Sequence, residues 1–331
     1  MSRFSVESCT FHGLKALTLR DAESGWDSIL AVEWGSNLVS LDSTRDTRDQ
    51  LRILRTPNSL DDLKEKSVGW GFPILMPPNR IDQGKFTFNG RDYVFDINEA
   101  GTYHIHGLVH NLPWRVISTS TDGAAMVTTA IRSDDHPSIK KSYPHSFELR
   151  MTFSLKESRM DFIVEAENFG SEPMPFGIGF HPYFNVPLSP TSSKANCTVQ
   201  VPARQVWELA NFVPTGKRLP VTSGQDLREP VQLSTVMLDD VYTDLELANG
   251  VSLVELTDNG ADITVKYGAG SEFKHWVIWT GRSPEDPFVC LEPYTWVTNA
   301  PNLDLPHDET GLIVLGGGET FTGRMWVEIL K

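Results

Sequence analysis

The sequence predicts an all-β protein, one large antiparallel β-sandwich spanning residues 1–331. Three observations predict it. Apolar residues recur with period two in segment after segment, the pattern of strands with one buried face. Asn-Gly and Asp-Gly pairs punctuate those segments at Asn89-Gly90, Asp122-Gly123, Asn249-Gly250 and Asn259-Gly260, the signature of hairpin tips. Helical periodicity is nearly absent, and 25 Gly with 21 Pro suit a chain of many turns.

Taken in order, an apolar β-branched run at Ile29–Glu33 reads as the first clear strand. The one persuasive helix is short: Ser59 caps Leu60–Lys66, with Asp62 in the capping-box place. Ala125–Ile131 is a further strand. In Glu148–Leu155 the residues Leu149, Met151, Phe153 and Leu155 alternate with polar ones. Met160–Glu167 repeats the beat, His275–Thr280 is an apolar run, and Arg324–Ile329 places Met325, Val327 and Ile329 on one side. Ser189–Lys194 reads as a surface loop. No polar or Pro-rich linker divides the chain and no fixed-period repeat runs through it.

A hydrophobic content of 40% supplies a large core and excludes global disorder. The balance of 29 basic against 43 acidic residues, net −14, repels phosphate backbones and anionic lipid, so neither nucleic acid nor a membrane surface is expected as a partner. Cys9, Cys197 and Cys290 are too few and too scattered for a disulfide framework or a structural zinc site. The N-terminus shows no apolar signal core, and no stretch approaches a spanning helix, so a cytoplasmic location is expected. Asn196-Cys197-Thr198 matches a glycosylation sequon and carries no weight. Gly281-Arg-Ser-Pro-Glu285 lacks the last glycine of a nucleophile elbow, and Gly316-Gly-Gly318 lacks the Lys and helix of a phosphate loop.

Three clusters could carry chemistry. In Asn98-Glu-Ala-Gly-Thr-Tyr-His-Ile-His106-Gly-Leu-Val-His110, the pair His104 and His106 would share a face of a strand. That pair suits either a metal or simple hydrogen bonding at a strand end. A cupin-type metal site wants a Glu a few residues on, where Val109, His110 and Asn111 stand instead. In Phe176-Gly-Ile-Gly-Phe-His181-Pro-Tyr-Phe-Asn185, Gly177 and Gly179 permit close backbone approach, and Pro182 breaks the strand after the histidine. In Val289-Cys-Leu-Glu292-Pro-Tyr, Glu292 closes an apolar run and precedes a proline, which places its carboxylate at a strand end with limited solvent. Partial desolvation would raise its pKa and suit it to act as a base; the alternative is a turn-capping carboxylate.

These clusters, in this order, resemble the aldose 1-epimerase (galactose mutarotase) family. Phe72-Pro-Ile-Leu-Met-Pro-Pro-Asn79-Arg80-Ile81 with Gly84, Phe86 and Gly90 is similar to one family stretch, and His106-Gly107 with Trp114 to another. Gly179-Phe-His181-Pro-Tyr-Phe184, Leu238-Asp239-Asp240-Val-Tyr242 and Glu292-Pro293 complete the set. The resemblance implies a β-supersandwich that interconverts the α and β anomers of a free, unphosphorylated aldohexose, a small-molecule sugar, without cofactor; the chemistry needs no metal. It implies Glu292 as general base on the C1 hydroxyl and His181 as general acid at the ring oxygen. His106 would join them in polarising the sugar, with Asn79, Arg80 and Asp239 binding its oxygens. After Asp239 the chain reads Asp-Val-Tyr where galactose mutarotases have histidine, which leaves Asp239 and Asp240 both open as the ligand.

The chemistry fits the residue types on its own terms, since ring opening needs one base and one acid facing each other. A hexose-6-phosphate epimerase is the second reading; it wants several cations at the pocket, and near the motifs only Arg80 and Arg282 stand out. A non-catalytic sugar-binding protein on the same fold is the third, and a cupin-like metal enzyme the fourth.

Overall fold

The structure is a computed structural model that describes residues 2–43 and 51–331. Two antiparallel sheets carry it. The larger has nine strands in the order 115–120, 125–132, 147–156, 159–168, 320–330, 263–270, 251–258, 197–200 and 231–232. The other runs 213–220, 203–210, 239–245, 275–279, 288–294, 179–180 and 74–75, with Tyr183–Asn185 as an eighth strand also paired to Phe288–Tyr294. A five-stranded meander precedes them, from Phe4–Phe11 to Leu51–Arg52.

The period-two segments become the strands that face the core. In Arg159–Asn168 every second residue is buried, so Met160, Phe162, Val164 and Ala166 point inward. Phe147–Lys156 does the same beside it. Thr320–Leu330, the last strand, inserts between Arg159–Asn168 and Ile263–Gly270, in the middle of the nine-stranded sheet. Rings from the two sheets interdigitate between them. Tyr267 of the larger sheet packs edge-on to Trp276 of the smaller at 4.9 Å, and Phe72 stacks on Phe162 at 4.5 Å. This is the face-to-face sandwich that the alternation predicts.

The turns hold with two differences. Asn89-Gly90 takes left-handed φ at both residues, as a two-residue hairpin requires, and joins Lys85–Phe88 to Arg91–Val94. Asn249-Gly250 is also left-handed and tips a two-residue hairpin in which Ala248 and Val251 exchange backbone bonds, but beyond that bridge the strands on either side belong to different sheets. At the 259–260 hairpin the left-handed residue is Asp262. The predicted helix is Leu60–Glu65, and Ser59 Oγ accepts from the Asp62 amide at 3.1 Å. Asp62 returns its bond to the amide of Asn58 instead of Ser59. Two short helices, Pro137–Ser142 and His307–Thr310, span too few residues for an apolar period to register. Among the described residues no helix is long and apolar enough to cross a membrane.

Candidate active site

The site is built on Phe288–Tyr294, every residue of which is buried. Val289 and Leu291 turn into the core, so by the strand period Cys290, Glu292 and Tyr294 share the opposite face. Gly179 pairs with Tyr294 and Tyr183 with Cys290, and this register sets the intervening His181 opposite Glu292. Pro182 breaks the partner strand at that point, which frees the histidine side chain from a regular ladder. Glu292 stands within a strand rather than at its end.

The imidazole Nε2 of His181 lies 3.3 Å from Oε1 of Glu292, and both side chains are almost wholly withdrawn from solvent. The Tyr294 hydroxyl donates a short hydrogen bond to the other carboxylate oxygen, Oε2. Gly179 makes room for that phenol: a Cβ there would lie 2.2 Å from the Tyr294 ring. Gly177 leaves the same space for the ring of Trp296. Burial pushes the Glu292 carboxyl well above its usual range, against the lowering effect of the Tyr294 bond. Burial likewise pushes the His181 imidazole down to about 3. Its ring stacks on Tyr183 at 4.9 Å and meets Trp279 edge-on at 6.0 Å, while its Nδ1 has no hydrogen-bond partner among the described residues.

His106 approaches from a neighbouring segment, its ring centroid 5.1 Å from that of His181. The strand Tyr103–Ile105 ends just before it, and His106 adopts φ 68°. That turn undoes the expected shared face with His104. His104 instead donates from Nδ1 to the Asp96 carbonyl at 2.8 Å, packs against Phe95 and takes no part in the cleft. Gly107 is required at φ 71°, because a Cβ would collide with the Met76 and Pro77 backbone. His110 braces the turn with Nδ1 3.2 Å from the His106 carbonyl and Nε2 3.2 Å from Ser67 Oγ. Asn79, left-handed and buried, accepts the His106 amide on its carbonyl at 3.0 Å. Its side-chain Oδ1 accepts the Arg80 amide at 2.9 Å.

Arg80 is held by Glu99 in a two-pronged pair, Nε to Oε2 at 2.6 Å and Nη2 to Oε1 at 2.7 Å, with Phe212 against the guanidinium plane. Asp239 is open to the same cleft, but protein packed round it raises its carboxyl pKa against the pull of Arg80. The next residue points away: Asp240 accepts from Gln225 at 2.5 Å. Asn79, Arg80, His106, His181, Asp239 and Glu292 thus line one cleft of ≈ 790 Å³, with Val277 and Trp279 as apolar wall. A hollow of ≈ 510 Å³ near Phe86 and Tyr93 is lined by Asp82, Lys85 and Asp92 and holds neither His181 nor Glu292. The residues absent from the sequence reading are Glu99 as holder of Arg80, Tyr294 as donor to Glu292, and Trp279 as wall. Glu99 and Trp279 reach the site through contacts between distant segments, whereas Tyr294 lies two residues from Glu292 on the same strand face, a spacing the sequence offered.

His181, Cys290 and Glu292 place one donor atom each within 4.8 Å of one another. As a metal set it is a poor one. Burial, with Glu292 beside it, pushes the Cys290 thiol well above its ordinary value, so the thiolate is costly to form.

Comparison with known proteins settles the family. The aldose 1-epimerase family model matches residues 17–328. The chain belongs to the aldose 1-epimerase family. It is similar to two Escherichia coli K12 proteins. It is 26% identical to the uncharacterized protein YphB, over 78% of this chain and 83% of that one. It is 32% identical to the uncharacterized protein YihR, over 72% and 74%. A crystal structure of a galactose mutarotase-like protein from Clostridium acetobutylicum superposes with TM-score 0.91 at 27% identity, covering 99% of both chains.

Proposed function

We propose that this aldose 1-epimerase family member is a mutarotase, interconverting the α and β anomers of an aldohexose with a free anomeric hydroxyl. The observation that carries the reading is the buried His181–Glu292 pair at 3.3 Å, opening onto a cleft with the polar groups of Arg80 and Asp239 around it.

Glu292 takes the proton from the C1 hydroxyl while His181 delivers one to the ring oxygen, and the C1–O5 bond opens. The pair carries one proton throughout. The arrangement that opens the closed sugar is the ion pair of carboxylate and imidazolium. While the sugar is open it is carboxylic acid and neutral imidazole. Burial favours the second, uncharged arrangement over the ion pair. Rotation about C1–C2 presents the other carbonyl face, and the two groups reverse roles to close it. Arg80, oriented by Glu99, and His106 hold and polarise the sugar oxygens, Asp239 accepts from its hydroxyls, and Asn79 supports Arg80.

Polarimetry of freshly dissolved α-glucose and α-galactose, with and without protein, tests the proposal. Acceleration of mutarotation supports it. Sugar binding without acceleration would replace it by a non-catalytic sugar-binding role on the same fold.

A further inference from the structure

The cleft does not end at the acid–base pair. His106, Tyr183, Trp279 and Arg282 are walls of two cavities at once, the one described above and a second of ≈ 460 Å³ that reaches to Arg55 and Lys66. This second space brings three cations together from distant parts of the chain. Arg55, Lys66 and Arg282 have no carboxylate within ion-pair distance among the described residues, in a protein with far more acidic than basic groups.

Arg55 is placed with care. Its guanidinium lies 4.0 Å over the ring of Trp70 and 5.1 Å from that of Phe288, and Nη1 donates to the Gly69 carbonyl at 3.3 Å. Its amide donates to the carbonyl of Tyr183 at 2.8 Å, the residue whose ring stacks on His181. Rings on two sides restrict the side chain and leave its remaining N–H donors for a ligand. Two acids also border the space. Asp286 is spent on its own loop, accepting the amides of Arg282 at 2.7 Å and Ser283 at 2.9 Å. Glu65 is exposed at the end of the Leu60–Glu65 helix.

We infer that this second cavity is a subsite for an anionic group on the sugar, an oxyanion such as a phosphate or carboxylate carried at the end remote from C1. The inference rests on the mutarotase reading for the identity of the first cavity and extends it to a substrate class. Arg55 gives the directional contact, and Lys66 and Arg282 supply charge at the rim. The expectation of an uncharged sugar took account of Arg80 and Arg282 alone. Arg55 and Lys66 lie in the chain before the first motif, and only the fold brings them to the site.

Titration calorimetry at fixed ionic strength with glucose, glucose 6-phosphate, glucuronate and maltose reads the subsite without needing turnover. We expect at least one of the two anionic sugars to bind tenfold or more tightly than glucose, and the stronger of them names the oxyanion. In Lys66→Gln/Arg282→Gln, both exposed positions, that ratio should fall at least fivefold; Arg55→Lys, which keeps the charge and loses the planar fork, should lower it as well. Glucose binding as tightly as both anionic sugars would overturn the inference. So would maltose binding most tightly, or a preference that survives the double substitution. Polarimetry on the same samples keeps the two readings apart, because an anion preference without mutarotation sinks the enzyme and leaves the subsite.

Discussion

Oε1 of Glu292 and Nε2 of His181 face each other at 3.3 Å across a break in the strand beside Phe288–Tyr294, in a place that water scarcely reaches. An isolated carboxylate or imidazolium there would be expensive, yet the two together can hold one proton at little net charge. A pair that only braced the fold could be met more cheaply by apolar side chains. Its position at the wall of a cleft is what makes it chemistry.

Replacing Glu292 by Gln preserves size and removes the base. General acid–base catalysis is worth ~10² to 10⁴ in rate, so mutarotation should fall at least about a hundredfold. Stability should move the other way. A carboxyl whose folded pKa is raised stabilises the fold fully below its unfolded pKa and loses that contribution as pH rises toward the folded value. The variant lacks this loss, so its melting temperature relative to wild type should increase from pH 5 to pH 8. A turn-capping glutamate predicts the opposite on both counts, near-normal turnover and a lower melting temperature.

Tyr294→Phe tests a positioning role. The phenol donates to Oε2 of Glu292 and lowers its pKa, and the Phe ring fills the same space over Gly179. Hydrogen bonds to charged groups contribute about 1.5–3 kcal/mol, so kcat/KM near neutrality should drop roughly ten- to a hundredfold. The acid limb of the pH–rate profile should shift upward. A uniform loss with an unmoved limb would mean that Tyr294 merely packs.

Adjacent aspartates give an internal control. Asp239 borders the cleft and Asp240 is engaged with Gln225. Asp239→Asn should raise KM about tenfold with kcat little changed, the mark of binding shared by ground and transition states. Asp240→Asn should leave both constants within about twofold of wild type. Initial-rate polarimetry over a range of sugar concentrations decides between them, and the reverse result would transfer the ligand role to Asp240.

Much of this was legible in the residues. Alternation in Glu148–Leu155 and Met160–Glu167 reports burial directly, because one face of each strand meets the core and the other meets water. Glu292 and His181 stood out as polar groups in apolar runs, which is how a costly buried charge shows in a sequence. What stayed hidden depended on backbone geometry or on contacts between distant segments. His106 turns left-handed, so a two-residue spacing from His104 ceased to mean a common face. Glu99 reaches Arg80 only once Tyr103–Ile105 pairs with Arg80–Asp82 and folds the intervening chain back. Arg55 is brought to the second cavity by the hydrogen bond from its amide to the Tyr183 carbonyl, a contact across more than a hundred residues.

On the strand beside Phe288–Tyr294, paired with Tyr294, His275 gives the fold an acid-sensitive point. It is completely buried, with Nδ1 accepting from Trp207 Nε1 at 3.4 Å and Nε2 donating to the Thr310 carbonyl at 3.3 Å. These partners select the neutral tautomer, and burial pushes its pKa down to about 3. The unfolded chain binds a proton at this histidine below about pH 6.5 while the folded protein refuses it until about pH 3. Stability is therefore intact above the unfolded pKa and declines as pH falls through that window, by up to about 1.4 kcal/mol per pH unit for this one group. Gln can accept from Trp207 and donate to Thr310 but cannot titrate. Urea unfolding of wild type and His275→Gln at pH 7 and pH 5 should show the wild type losing about 2 kcal/mol more than the variant over that interval. Parallel losses in the two proteins would mean that His275 takes up its proton within the folded state, and that the burial argument fails at this site.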